Sequence, residues 1–219
     1  MDASSESFEL RHARVLAFVV PAICHRLSNV VSVTTGMVEL GLLSPSSESL
    51  AENLALALEH SSKAGRQIKR LGSFAHLTED APVSEDGARS AEDAAELLQP
   101  ICNVTRTSFV HRATDRVFPV VTDRKRLMQL VMIVSCSPLL SGGSAALGHD
   151  GGIESMRLSI VPSQSGAAIR LTVKGGSAIQ AESTASLLAD SARAINARLS
   201  TRTIGETTSF RIALVAPAN

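Results

Sequence analysis

Residues 8–43 read FELRHARVLAFVVPAICHRLSNVVSVTTGMVELGLL, and this stretch decides the fold. Leu16, Val20, Ile23, Leu27, Val30, Met37 and Leu40 approximate an alternating three- and four-residue spacing, which lays one apolar stripe along a helix. Pro21 lies inside the pattern, where it removes one backbone donor and predicts a bend. Gly41 and the Ser-Pro-Ser-Ser-Glu run at 44–48 end this helix and open another, with Ser46 or Ser47 as its N-cap.

The second stripe runs over residues 48–76, through Leu50, Leu54, Ala57 or Leu58, Ser61, Ala64, Ile68, Leu71 and Ala75. Two long helices joined by a short turn lie antiparallel. A lone hairpin leaves much of each stripe wet. Two hairpins paired as a four-helix bundle cover both, so a homodimer is expected, with residues 1–78 as its dimerisation domain.

Turn formers, acids and a proline in TEDAPVSEDG (78–87) predict a linker, placed at 79–88. Beyond it, residues 89–219 mix helix and strand patterns. Helices are expected at 90–103, 123–140 and 183–199, and strands at 107–112, 117–121, 156–161, 167–174 and 207–215. The expected fold class is therefore α+β: an N-terminal antiparallel helical hairpin, then an α/β sandwich with helices on one face of a mixed sheet.

Composition narrows the function. With 44% hydrophobic and 19% charged residues, the 219-residue chain can bury a core. Lys plus Arg equals Asp plus Glu at 21 each, which argues against a nucleic-acid partner, since that would need a clustered basic surface. Cys24, Cys102 and Cys136 form no disulfide framework or metal-binding motif and favour a reducing compartment. The acidic start MDASSES does not read as a secretory signal, and the apolar runs are short and broken by charge. No membrane span and a cytoplasmic location are expected.

Chemistry concentrates at His25. It lies between Ile23 and Leu27, so its ring should emerge beside the apolar stripe and face solvent. A neutral imidazole is a good nucleophile near pH 7 and can carry a phosphoryl group covalently. His12, His60, His76, His111 and His149 have no such setting and read as surface or loop residues.

Residues 21–41, PAICHRLSNVVSVTTGMVELG, resemble the phosphoacceptor helix of histidine kinases and of the related histidine phosphotransferases. His25, Leu27, Asn29, Gly36, Glu39 and Leu40 carry the likeness, and SSKAGRQIKRLGSFAH at 61–76 is similar to the family's returning helix. The resemblance implies that His25 is the phosphoacceptor. An acid usually follows this histidine, whereas this chain has Arg26, which cannot act as a base and could instead offset phosphoryl charge. Asn29, one turn on, stands at a position that in the family can orient a hydrolytic water.

Residues 97–140 resemble the opening of a kinase ATP-binding domain, with Asp123, Arg126, Leu127 and Gln129 matching. The nucleotide motifs depart from it. Ile133 and Ser137 fall where the family places asparagines for magnesium and phosphates. Lys174, which has only donors, falls at the aspartate that reads adenine. TTSFRIALVAP at 207–217 matches the closing strand, with Glu206 in place of a glycine. The Gly-Gly pairs at 142–143, 151–152 and 175–176 read as turns.

These losses imply that ATP is not bound and that this chain holds no cofactor or metal. A phosphoacceptor hairpin beside a decayed ATPase domain looks like ChpT-type histidine phosphotransferases. That likeness implies a phosphotransferase, not an ATP-dependent kinase, which relays a phosphoryl group between receiver-domain aspartates. The receiver would supply Mg²⁺ and dock on Asn29, Ser32, Val33 and Gly36. Two other readings stand beside it: a non-catalytic dimeric scaffold that binds a receiver or kinase, and a divergent active histidine kinase.

Overall fold

A computed structural model describes residues 8–43, 46–76, 83–141, 153–164, 166–175 and 178–216. The predicted linker start at 78–82, His149, the Gly-Gly pairs at 142–143 and 151–152, and Gly176 lie outside the described residues.

The hairpin consists of α1 (Phe8–Leu43) and α2 (Ser47–Ala75). Pro21 lies inside α1. Ser46 is the N-cap of α2, its hydroxyl accepting from the Ser49 N–H at 3.2 Å. The fully covered stripe of α1 is Phe8, His12, Val15, Val19, Ala22 and Ile23. It overlaps the expected stripe only at Ile23; Leu16, Leu27, Val30 and Met37 are partly covered and Leu40 is exposed. The difference has a physical cause. α1 packs on α3 and α4 as well as on α2, so it needs two apolar flanks, and periodicity alone does not rank them.

The second part runs β1 (Val83–Asp86), α3 (Gly87–Val104), β2 (Ser108–Arg112), β3 (Pro119–Thr122), α4 (Arg124–Ser141), β4 (Ser155–Ser163), β5 (Gly166–Lys174), α5 (Ala178–Ala194), β6 (Ala197–Ile204) and β7 (Thr207–Val215). β1 and β3 form a small antiparallel pair. The main sheet has the order β2-β4-β5-β7-β6, parallel at β2–β4 and antiparallel elsewhere. The α+β class is as expected.

Two expectations about element boundaries are corrected. The end of the predicted linker at 79–88 is ordered structure: β1 pairs with β3, and Asp86 caps α3 by accepting from the Ala88 and Phe118 N–H groups, each at 3.0 Å. The last helix stops at Ala194 rather than 199, because Asn196 takes a left-handed φ of 56° and starts β6.

Alternation along β4, β5 and β7 buries Met156, Leu158, Ile169, Leu171, Phe210 and Ile212 on one face. The helices α3 and α5 pack on the sheet, and α4 lies against both of them and against the hairpin. Apolar almost all round, α4 is a core helix. At the β4–β5 turn only glycine fits position 166: its φ is +135°, and a Cβ would come within 2.7 Å of the Ala216 nitrogen. Among the described residues, α1 is the one helix long and apolar enough to cross a bilayer; its buried flank is used inside this fold.

The hairpin is fastened to the second part at Phe74. His12, expected at the surface, is buried, and its Nε2 donates to the Phe74 carbonyl at 2.7 Å. Gln129 Nε2 donates to the same carbonyl at 3.2 Å and to that of His76 at 2.5 Å. The His12 ring meets Phe74 edge-on, and the Arg126 guanidinium lies 3.9 Å from the Phe8 ring centroid. Burial lowers the His12 pKa and the Arg126 charge lowers it further, against the opposing Phe74 hydrogen bond.

The unfolded chain therefore takes up a proton that the folded chain refuses. Stability is greatest above about pH 6.5, the unfolded value, and declines as pH falls from there to the folded value. His111, also lowered by burial, acts in the same direction. The melting temperature is expected to fall between about pH 7 and pH 5, and His12→Gln to flatten that decline, in melts followed by circular dichroism.

Candidate functional site

His25 stands exposed in the middle of α1. Asn29 Nδ2 donates to its Nε2 at 3.5 Å, one turn along the helix. An Nε2 that accepts this contact carries no proton and directs its lone pair at Asn29. At about 100° per residue, His25, Asn29, Ser32 and Gly36 fall within one arc of roughly 60°. Ser32 is exposed, its hydroxyl donating to the Ser28 carbonyl at 3.1 Å. A Cβ at Gly36 would meet nothing within 4 Å. The result is a low, open strip beside a nucleophilic nitrogen.

Val33 and Arg26 lie off that strip, about 80° and 100° round the helix from His25. Val33 is exposed. Arg26 is partly covered and has no ion-pair partner among the described residues. Adjacent residues of a helix do not face each other, so Arg26 is not brought against the imidazole here.

The motif residues of the second part serve other ends. Asp123 accepts from the Arg126 N–H at 3.1 Å and caps α4. Arg126 and Gln129 build the Phe74 joint, and Leu127 is core. Ile133 and Ser137 are buried, with the Ser137 hydroxyl donating to the Ile133 carbonyl at 2.7 Å. Lys174 pairs with Glu154 at 2.7 Å, which raises its pKa. Cys102 and Cys136 are buried thiols, and burial pushes the Cys102 pKa up to about 12. Among the described residues no group of three His, Cys, Asp or Glu side chains could hold a metal.

Sequence reasoning missed a cationic groove of about 490 Å³ between α2, α3 and α4. Arg66, Lys69, Arg70, Arg89, Arg124 and Lys125 line it beside Glu85 and Asp93. Asp93 is clamped by Arg70 at 2.7 Å and by Arg124 at 2.5 Å, and Arg70 also reaches Glu96 at 2.6 Å. These residues come from three separated helices, so no local motif announces them.

No protein-family model matches the chain, and no curated protein matches it. Among solved structures, the ATP-binding domain of PrrB from Mycobacterium tuberculosis is similar at a TM-score of 0.51 and 17% identity, covering 64% of this chain and 100% of that one. The histidine kinase AdeS of Acinetobacter baumannii gives 0.45 and 14%, covering 89% and 98%. A bacterial phosphotransferase gives 0.37 and 13%, covering 91% and 96%. The first likeness shows the fold: the C-terminal mixed-sheet part resembles a histidine-kinase ATP-binding domain.

The Arg70–Asp93–Arg124 clamp ties the hairpin to α3 and α4. Asp93 is 12% exposed, so removing it leaves the half-buried Arg70 with Glu96 alone and deprives the more exposed Arg124 of its partner. Asp93→Ala is expected to cost about 1–3 kcal/mol in urea unfolding, whereas truncating the exposed Glu59, paired with Lys63 on the surface of α2, is expected to leave the urea midpoint unchanged.

Proposed function

We propose that the chain is a histidine phosphotransfer protein, in which His25 carries a phosphoryl group between the aspartates of two receiver domains. The supporting observation is the exposed imidazole whose Nε2 lone pair, hydrogen-bonded by Asn29, adjoins the open strip of Ser32 and Gly36. In the forward step Asn29 releases Nε2, which attacks phosphorus as the acyl-phosphate P–O bond breaks and the donor aspartate leaves as a carboxylate. The ring keeps its Nδ1 proton and is cationic, which makes it a good leaving group for the next aspartate. Mg²⁺ belongs to the receiver in this reading. Asn29 orients the ring, and Ser32, Val33 and Gly36 receive the docking partner.

The loss of kinase chemistry fits the same reading. Ile133 and Ser137 sit buried in α4, and Lys174 is tied to Glu154. None of them offers a carboxylate or amide to adenine or magnesium.

Dimerisation is part of the proposal. The hairpin exposes Leu40, Leu42, Leu43, Leu54, Leu58 and Ile68, with Leu43 at 82% and Leu58 at 69%. Such apolar surface calls for a cover, and a second hairpin supplies the matching stripe.

Incubation with an acetyl-phosphate-charged receiver is expected to label the chain, and His25→Ala to abolish the label. Gly36→Trp, which fills open space, is expected to slow transfer by about tenfold or more with no change in melting temperature. Receiver binding without transfer would support the scaffold reading instead, and label from ATP without a donor protein would support a kinase. Light scattering after gel filtration is expected to give twice the chain mass of 23.0 kDa, and Leu54→Asp with Leu58→Asp to give a folded monomer.

A further inference from the structure

Balanced totals of acid and base conceal a segregation. Outward positions of the main sheet follow from its register: Arg157 stands opposite Thr172, Arg170 opposite Arg211, Arg198 opposite Ala213, and Arg202 opposite Ser209. Arg112 projects to the same side from the edge strand β2. All six arginines are exposed, and none is in an ion pair among the described residues. No outward position of the five strands holds Asp or Glu; the rest are mainly Ser, Thr, Val and Ala.

The face is built against its own stability. Like charges directly opposite on neighbouring strands repel, yet Arg170 faces Arg211. A sheet selected only to be soluble would interleave acids. We propose that this face binds the phosphate backbone of double-stranded nucleic acid without reading its sequence.

The chemistry narrows the choice. Guanidinium forks match phosphate oxygens in pairs, and Ser and Thr hydroxyls are common backbone donors. No aromatic side chain projects from the face: Phe210 is buried beneath it and Phe109 packs on the core, so single strands find no stacking platform. A protein interface would want a large apolar anchor at the centre, where these strands carry Arg170 and Arg211. From Arg157 on β4 to Arg198 and Arg202 on β6 is three strand spacings, about 14 Å. That spans the phosphate rails flanking a major groove about 12 Å wide. The hairpin contacts the helices on the opposite side of the sheet, so a duplex seated here leaves His25 open.

Fluorescence anisotropy with a labelled 20-base-pair duplex of arbitrary sequence, and a second of scrambled sequence, tests this on the full chain. Equal affinity for both duplexes is expected, with log K falling against log salt at a slope of about −3 to −5. Arg157→Ala, Arg170→Ala and Arg211→Ala together should reduce the magnitude of that slope by about 2–3 and weaken binding at least about tenfold. All three side chains are solvent-exposed and the Arg170–Arg211 repulsion is relieved, so a melting temperature that is held or raised checks the fold. His25→Ala should bind the duplex as the unaltered chain does, which keeps this outcome separate from phosphotransfer. Binding that ignores the triple substitution, or is absent at low salt, would overturn the proposal. So would binding to phosphatidylglycerol vesicles or a polyglutamate peptide with none to the duplex.

Discussion

One backbone carbonyl, that of Phe74, holds the molecule's two halves in register. It accepts from His12 on the first helix and from Gln129 on α4, and Gln129 also takes up the next available carbonyl, at His76. A buried carbonyl with two donors is fully satisfied, and losing either donor leaves a desolvated group behind. Phe74 itself is completely buried, with His12 against its ring. The end of α2 is thus pinned from two directions, and the helix carrying His25 inherits that fixed position.

This constraint gives the residues of the kinase-like signature a structural task. Arg126 and Gln129 stand in the first turns of α4, and their side chains are engaged with Phe8 and with the α2 terminus. Farther along the same helix, Ile133 and Ser137 are buried, and the Ser137 hydroxyl is turned back onto its own helix. The part that resembles an ATP-binding domain in fold forms a supporting wall, with the histidine-bearing hairpin packed on it.

Much of this was legible in the sequence because it is written locally. The limits of α1 and α2 follow from periodicity and from the Ser46 cap, and β7 from strict alternation at 207–215. His25 and Asn29 share a helix face by spacing alone. What escaped depends on distant partners. The polar strand Val83–Asp86 exists through its pairing with Pro119–Thr122. His12 looks like a surface residue until a carbonyl 62 positions away is placed beside it. Ala192, Ile195 and Leu199 mimic helical spacing, and only the left-handed Asn196 betrays the change to strand. The arginine face requires the parity of five strands at once, which no linear motif encodes.

The bareness of the strip around Gly36 has a consequence for timekeeping. Among the described residues no side chain roofs the imidazole, so in the proposed role a phosphoryl group there would be open to water whenever no partner is seated. In that role custody of the high-energy bond would pass to whichever protein docks, and partner abundance would govern the lifetime of the signal. Such a carrier keeps no memory of its own; it is a courier with open hands.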